Sequence, residues 1–239
     1  MKTILLKFSS PLQSWGTSSN FEIRETDHHP SKSAVIGLVA GAMGFSRDDE
    51  RIKELNKLNF AVRVDDQGSL MRDYHIAAKR KPDEKLERNY VTNRYYLEDA
   101  VFVVALSQDD ELIDKIYQAL QAPYYQSFLG RRSNPPTADF IIGIYGDEPI
   151  ELLKKYPWQA REKTKKRAEL NKKHNVSVDI YADSNIINSL KEKKRRDVVV
   201  SFSQKNRQHS YRLEKSLTIE LPFNYSESFE IDFFEQIEG

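Results

Sequence analysis

Tyr74, His75 and Lys79 are the one set of side chains in this sequence whose types and spacing suit acid–base chemistry. A phenol, an imidazole and an ammonium can move protons without a metal, and together they suit cleavage of RNA at a 2′-hydroxyl. The alternative is an ordinary strand pair, with Tyr74 against a sheet and His75 facing solvent or bonded to backbone. Other chemistries lack their parts. The chain has no cysteine, which excludes disulfides, thiolate metal sites and thiol nucleophiles. It has no G-x-S-x-G elbow, no Walker loop and no dinucleotide glycine fingerprint. His28 and His29 are adjacent, a spacing that does not place both rings on one metal. No metal and no cofactor are expected.

A second group of candidates binds rather than reacts. Pro11-Leu12-Gln13-Ser14-Trp15-Gly16 follows an apolar strand pattern and ends in glycine. Leu129-Gly130-Arg131-Arg132-Ser133 puts two arginines in a turn before another strand. Both suit places where backbone and cations meet an extended polyanion. Arg131 and Arg132 can fork onto phosphates or pair with nearby acids. Trp15 either stacks on a base or anchors the core, with Gly16 permitting an unusual backbone angle. Lys32 and Ser33 stand at a predicted helix start, where free N–H groups and the helix dipole favour a phosphate; capping by Ser31 is the plainer use of that position.

Composition frames these candidates. The 239 residues, 39% hydrophobic and 31% charged, fit a soluble, rather polar globular protein of one large domain, or a domain with a smaller appendage. The net charge of +1 hides segregation. Lys154 to Lys173 carries nine basic residues against two acids, Lys191 to Arg196 five against one, and Glu227 to Gly239 five acids and no base. Such runs are solvated faces or surfaces for a polyanion. Met1 to Phe8 is too short for a signal peptide or a membrane span, and the lack of cysteine fits a reducing cytoplasm, so a cytoplasmic location is expected.

The elements that must position these residues alternate between strand and helix patterns. Strands are predicted at Thr3–Phe8, Asn59–Asp65, Ser69–Ile76, Asp99–Leu106 and Ala138–Tyr145. Helices are predicted from Pro30 to Phe45, over Asp48–Asn56 and over Asp109–Leu120. Gly37, Gly41 and Gly44 suggest a first helix lying very close to a sheet. Asp66-Gln67-Gly68 reads as a hairpin turn joining the second and third strands. Ala77 to Arg94 is a polar excursion, long for a loop. The order gives an α+β, ferredoxin-like (RRM-like) β-α-β-β-α-β plan with an extra arm over residues 1–146. Residues 147–239 read as a short helix (Glu148–Lys155), a basic connector and a small antiparallel β appendage at Val176–Tyr181, Asp197–Phe202 and His209–Leu221.

Several stretches, in order, resemble the CasD-type subunits of Cascade, the type I-E CRISPR surveillance complex. They are Pro11 to Gly16; Arg24-Glu25-Thr26 leading to Pro30-Ser31-Lys32-Ser33 and Ile36-Gly37-Leu38; Arg72-Asp73-Tyr74-His75; Thr92 to Leu97; Tyr125 to Ser133; and Asp179-Ile180-Tyr181. Departures fall at Ser10 and Ala34, where the family pattern has glycine, and in the long basic stretch 154–174. The resemblance implies a RAMP core with a β-hairpin thumb at about 77–97. It implies a non-catalytic subunit that grips the 5′ handle of the mature CRISPR RNA and caps the CasC-type backbone filament beside the CasA-type large subunit. Target DNA would be met through the assembled complex. The residues implied at the RNA are Gln13, Trp15, Arg24, Lys32, Ser33, Tyr74, His75, Arg94, Arg131 and Arg132. In related type I-C complexes the homologous subunit is a ribonuclease with a Tyr/Lys/His set, which keeps Tyr74, His75 and Lys79 in view as an alternative.

Overall fold

The computed structural model describes residues 1–18 and 22–223. The acidic tail from Glu227 lies outside them. The chain begins with β1 (Lys2–Ser9), the short strands β2 (Leu12–Gln13) and β3 (Ile23–Arg24), and α1 (Lys32–Ala42). There follow α2 (Arg51–Glu54) running into a 3-10 turn, β4 (Asn59–Asp66), β5 (Ser69–Arg80), β6 (Leu86–Glu98), β7 (Val101–Gln108), α3 (Asp110–Gln121) and β8 (Ile141–Tyr145). The C-terminal part holds α4 (Pro149–Lys155), α5 (Glu162–Leu170), β9 (Asn175–Asp183), β10 (Lys191–Ser201) and β11 (Gln208–Pro222).

Strands β4, β7, β1 and β8 lie side by side in that order, all antiparallel. With α1 between β1 and β4 and α3 between β7 and β8, this is the ferredoxin-like arrangement. The sequence alternation explains the layers. Ile4, Leu6 and Phe8 of β1 face α1 and α3, while Leu5 faces Leu152 and Leu153 of α4. Both faces of β1 are therefore buried, as its unbroken apolar run requires. The C-terminal strands are antiparallel and continue the same sheet: β9 pairs with β4 (Ala61 opposite Ala182), then β11, then β10 at the edge. A fully buried ion pair, Arg63 Nε to Asp65 Oδ1 at 2.6 Å, ties this region together, because the Arg63 guanidinium also donates to the carbonyls of Leu153, Tyr156 and Pro157.

Two expectations are corrected. The segment 66–68 does not fold β5 back onto β4. Both edges of β4 are occupied, by β7 and β9, so β5 leaves the sheet and pairs with β6 from Ser69–Glu98 to Arg80–Leu86. The β-β step of the core is β4 to β7, and the arm inserted between them is a hairpin spanning 69–98, longer than the excursion read from polarity. Gly68 permits the exit: its φ is +64°, and a Cβ there would stand 2.2 Å from the Glu98 carbonyl oxygen. The glycines of α1 do not mark a tight helix–sheet approach. Gly41 faces open space and Gly37 is in ordinary contact with Phe202. Gly44, at φ +76°, ends the helix in the left-handed conformation that glycine favours, and the Phe45 amide donates back to the Ala40 carbonyl.

Candidate nucleic-acid interface

The two motifs that stand apart in the sequence meet in space. Gly130 has φ +87°, and a Cβ on it would be 1.8 Å from the Ser14 carbonyl oxygen. The Ser14 amide donates to the Leu129 carbonyl at 3.3 Å. Trp15 donates its amide to Thr26 Oγ1 at 2.9 Å, and β3 runs parallel to β6 with Arg24 beside Arg94. Four separated stretches therefore converge at the root of the hairpin.

The apolar and amide residues of these motifs build the place rather than line it. Trp15 is 2% exposed and stacked on Phe8 at 5.4 Å, so its ring is not presented to a base. Gln13 is buried and donates to the carbonyls of Phe8 and Ala100. Both side chains are thus part of the packing beneath the surface.

The cations above this floor are exposed or half-buried. Residues on one face of the hairpin alternate, so Arg94 and Tyr96 share a face with Asp73 and His75. Arg131 reaches this face from the 129–133 turn and lies 4.7 Å over the Tyr96 ring. Burial, and then the nearby Arg94 and Arg24, hold the Arg131 guanidinium below the usual arginine value, with Tyr96 and Asp73 pulling the other way. Arg131 Nε is buried without a hydrogen-bond partner. Three guanidiniums from three elements thus crowd one surface, and Arg94 and Arg131 make no ion pair among the described residues. Arg132 is exposed beside them. Tyr96 is the residue that sequence reasoning missed; its two-residue spacing from Arg94 was the available signal.

Lys32 and Ser33 are placed differently. Both are buried. The Lys32 amide, at the start of α1, donates to Asp197 Oδ2 at 2.8 Å, and its ammonium meets Asp183 Oδ2 at 2.8 Å. The anion expected at this helix start is thus a carboxylate of the chain itself. Around it, Arg195 contacts Asp27 and Glu214, and Arg212 contacts Asp183, Asp197 and Glu214. His29 stacks on Tyr181 at 4.0 Å, accepts from Arg195, and is held well below its ordinary value by burial and Arg195.

The acid–base set does not assemble. Tyr74 and His75 are consecutive in a strand, so they point to opposite faces. Tyr74 is 61% exposed in an apolar stripe with Leu70, Ile76 and Val91, whereas His75 sits beside Thr92. Lys79 is about 13 Å farther along the strand, at roughly 3.3 Å per residue, and pairs with Glu87. Among the described residues no group of three or more His, Asp or Glu is placed to hold a metal, and no helix is long and apolar enough to cross a membrane.

The basic run 154–173 is split. Lys154 pairs with Glu151 and Lys165 with Glu162, both on exposed surface. Arg161, ahead of α5, bridges Asp66 and Asp99, the residues on either side of the hairpin, and Thr164 Oγ1 donates to Asp66 as well.

Comparison with known proteins agrees with this geometry. Residues 3–213 match the model of the family described as CRISPR-associated protein (Cas_Cas5). The chain belongs to this family. It is a CasD-type RAMP subunit of a Cascade-like CRISPR complex. It is 31% identical over 170 residues to the CRISPR system Cascade subunit CasD of Escherichia coli (strain K12), covering 64% of this chain and 76% of the relative. A chain of a solved CRISPR RNA-guided surveillance complex superposes with a TM-score of 0.76 at 30% identity, over 92% of this chain and 91% of that one. A second, described as a Cas protein crystal structure, gives 0.65 at 25% identity over 92% and 95%.

Proposed function

We propose that this CasD-type subunit is a non-catalytic RNA clamp that grips the 5′ handle of the mature CRISPR RNA with the root of its hairpin, the thumb of the family. The observation that carries this is the gathering of Arg24, Arg94 and Arg131 on one face, held by the close contact of Gly130 with Ser14. Guanidiniums fixed on rigid strands and a tight turn suit phosphates at a bend in a single strand, and Tyr96 beneath Arg131 braces one of them. In this reading the subunit caps the CasC-type backbone filament beside the CasA-type large subunit, and target DNA is read by guide pairing in the assembled complex. The ribonuclease alternative is disfavoured because Tyr74, His75 and Lys79 do not converge.

The test is binding of the purified chain to RNA carrying the handle of its own repeat. Arg94→Ala and Arg131→Ala each remove charge-assisted hydrogen bonds worth about 1.5–3 kcal/mol, so affinity falls roughly 10- to 150-fold while the melting temperature holds. Unchanged affinity for both variants sinks the proposal, as does an assembly in which Arg24, Arg94 and Arg131 are all remote from any nucleotide. Incubation with repeat RNA in EDTA is expected to leave the RNA intact.

A further inference from the structure

A second set of arginines lacks carboxylate partners, and nothing in the clamp accounts for it. Arg47 follows α1, Arg196 lies in the edge strand β10, and Arg207 is in the loop from β10 to β11; all three are exposed. None forms an ion pair among the described residues. The contrast with their neighbours is direct, because Arg195 and Arg212 each touch more than one carboxylate. Several acids nearby in sequence are committed elsewhere, Asp49 to Arg51, Glu50 to Lys53, and Asp197 to the Lys32 amide and Arg212, while Asp48, next to Arg47, is exposed and forms no ion pair with it.

Two of these arginines, Arg196 and Arg207, meet around one aromatic ring. Arg207 lies 5.7 Å over the Phe202 ring, His209 meets the same ring edge-on at 6.0 Å, and Arg196 Nε donates to the His209 carbonyl at 3.3 Å. Phe202 rests on α1 at Gly37, and Asn56 pins β10 by bonding both the amide and the carbonyl of Val199. Burial, and then the Arg47 charge, hold the Arg207 guanidinium below the usual arginine value. His209 is lowered by burial and then by Arg207 and Arg196, with Asp197 opposing, and its Nε2 is buried with no partner. Exposed cations near one aromatic support that form no ion pair among the described residues favour an anion from outside.

Two exposed tyrosines lie on the segment that leads from the end of α1 towards the clamp. The loop that ends in Arg131 begins on the C-terminus of α1, where the Tyr124 amide donates to Ala42 and the Tyr125 amide to Gly41. Tyr124 and Tyr125 are both exposed and packed edge to face at 4.7 Å. Tyr124 covers Gly44, three residues before Arg47.

We propose that Arg47, Arg196 and Arg207 form a second phosphate-binding site, which takes the backbone of single-stranded RNA after it leaves the clamp across Tyr124 and Tyr125. The direction of the path rests on the clamp reading; the site itself does not. Oligouridines of about 4, 8 and 12 nucleotides, which bracket common single-strand site sizes, measure it on the full chain. For Arg47→Ala/Arg196→Ala/Arg207→Ala, affinity for the shortest oligomer stays within about two-fold. Affinity for the longest falls about ten-fold or more, and the slope of log affinity against log salt drops by about 0.7 for each phosphate no longer neutralised. Arg207→Glu alone reports the same length dependence if the triple variant folds poorly. Equal loss at every length overturns the proposal, because an oligomer that ends inside the clamp cannot sense a site beyond it; so does no loss at any length. Loss for long oligomers in the triple variant, with Arg94→Ala silent, keeps this site and removes the clamp.

Discussion

Two groups of arginine and lysine sit in motifs of similar appearance, and they have opposite fates. At the start of α1, Lys32, Arg195 and Arg212 are buried among Asp27, Asp183, Asp197 and Glu214. At the hairpin root, Arg94 and Arg131 have other cations, Tyr96 and the cross-strand Asp73 for neighbours, and neither forms an ion pair among the described residues. A cation in a recognisable motif therefore says little by itself. Whether the fold returns a carboxylate to it decides if it holds the protein together or is left for a ligand.

The comparison is broken most forcefully by removing an acid from the saturated group. Asp197 is fully buried and serves both the α1 N-terminus and Arg212. Asp197→Ala strands those donors, which costs about 3–5 kcal/mol. The melting temperature should drop by roughly 6–20 °C at about 2–4 °C per kcal/mol, while RNA affinity of the folded fraction holds. A drop below about 2 °C would show the network to be dispensable. Arg94→Ala and Arg131→Ala give the reverse pattern, with binding weakened and stability kept.

Gly130→Ala sharpens the other side. Its methyl would collide with the Ser14 carbonyl at a positive φ, which forces the two motifs apart at a strain of about 1–3 kcal/mol. RNA affinity should fall with a smaller loss of melting temperature than Asp197→Ala. Full affinity would mean that the contact does not position Arg131.

A pH effect belongs to the saturated group. His29 in the folded state lies well below its unfolded value near 6.5, because of burial and then Arg195, while the Pro30 carbonyl opposes and Arg212 and His28 add to the shift. The unfolded chain therefore takes up the proton first as pH falls. The stability contributed by neutral His29 is complete above about pH 6.5 and is lost below it at about 1.4 kcal/mol per pH unit, down to the folded value. Denaturant titrations at pH 7.5 and 5.5 should show this loss, and His29→Gln should reduce it. An equal loss in both proteins would assign the effect to other groups.

The smallest change is expected in α5. Lys163, Lys166 and Arg167 are exposed and belong to neither arginine group. Reversing all three to glutamate should alter RNA affinity less than about two-fold near 0.15 M salt, where charges separated by more than about 8 Å are screened. A ten-fold drop would draw the basic run into the interface.

Much of this was legible in the sequence. The order of core strands and helices follows from apolar periodicity, and Ser31 caps α1 as its position suggests. Arg94 and Arg131 stand out because each occupies a recognisable run. Pairing across long separations was not legible. Nothing near Lys32 announces Asp183 and Asp197, more than a hundred residues away, so the helix start looked open to a phosphate. Trp15 reads equally as platform or core until Phe8 is seen against it. The turn at Gly68 reads as a return to the sheet because local sequence does not show that both edges of β4 are taken.

The hairpin leaves the core sheet after Asp66 and rejoins it before Val101, and of its residues only Leu97 belongs to the central apolar cluster. Its outer half can therefore diverge in length and composition while the scaffold beneath keeps its shape. Arg161 grips Asp66 and Asp99 together at the base of the arm. The arm is in effect an interchangeable cassette, and transplanting the outer half from a distant homologue should yield a well-folded chimera.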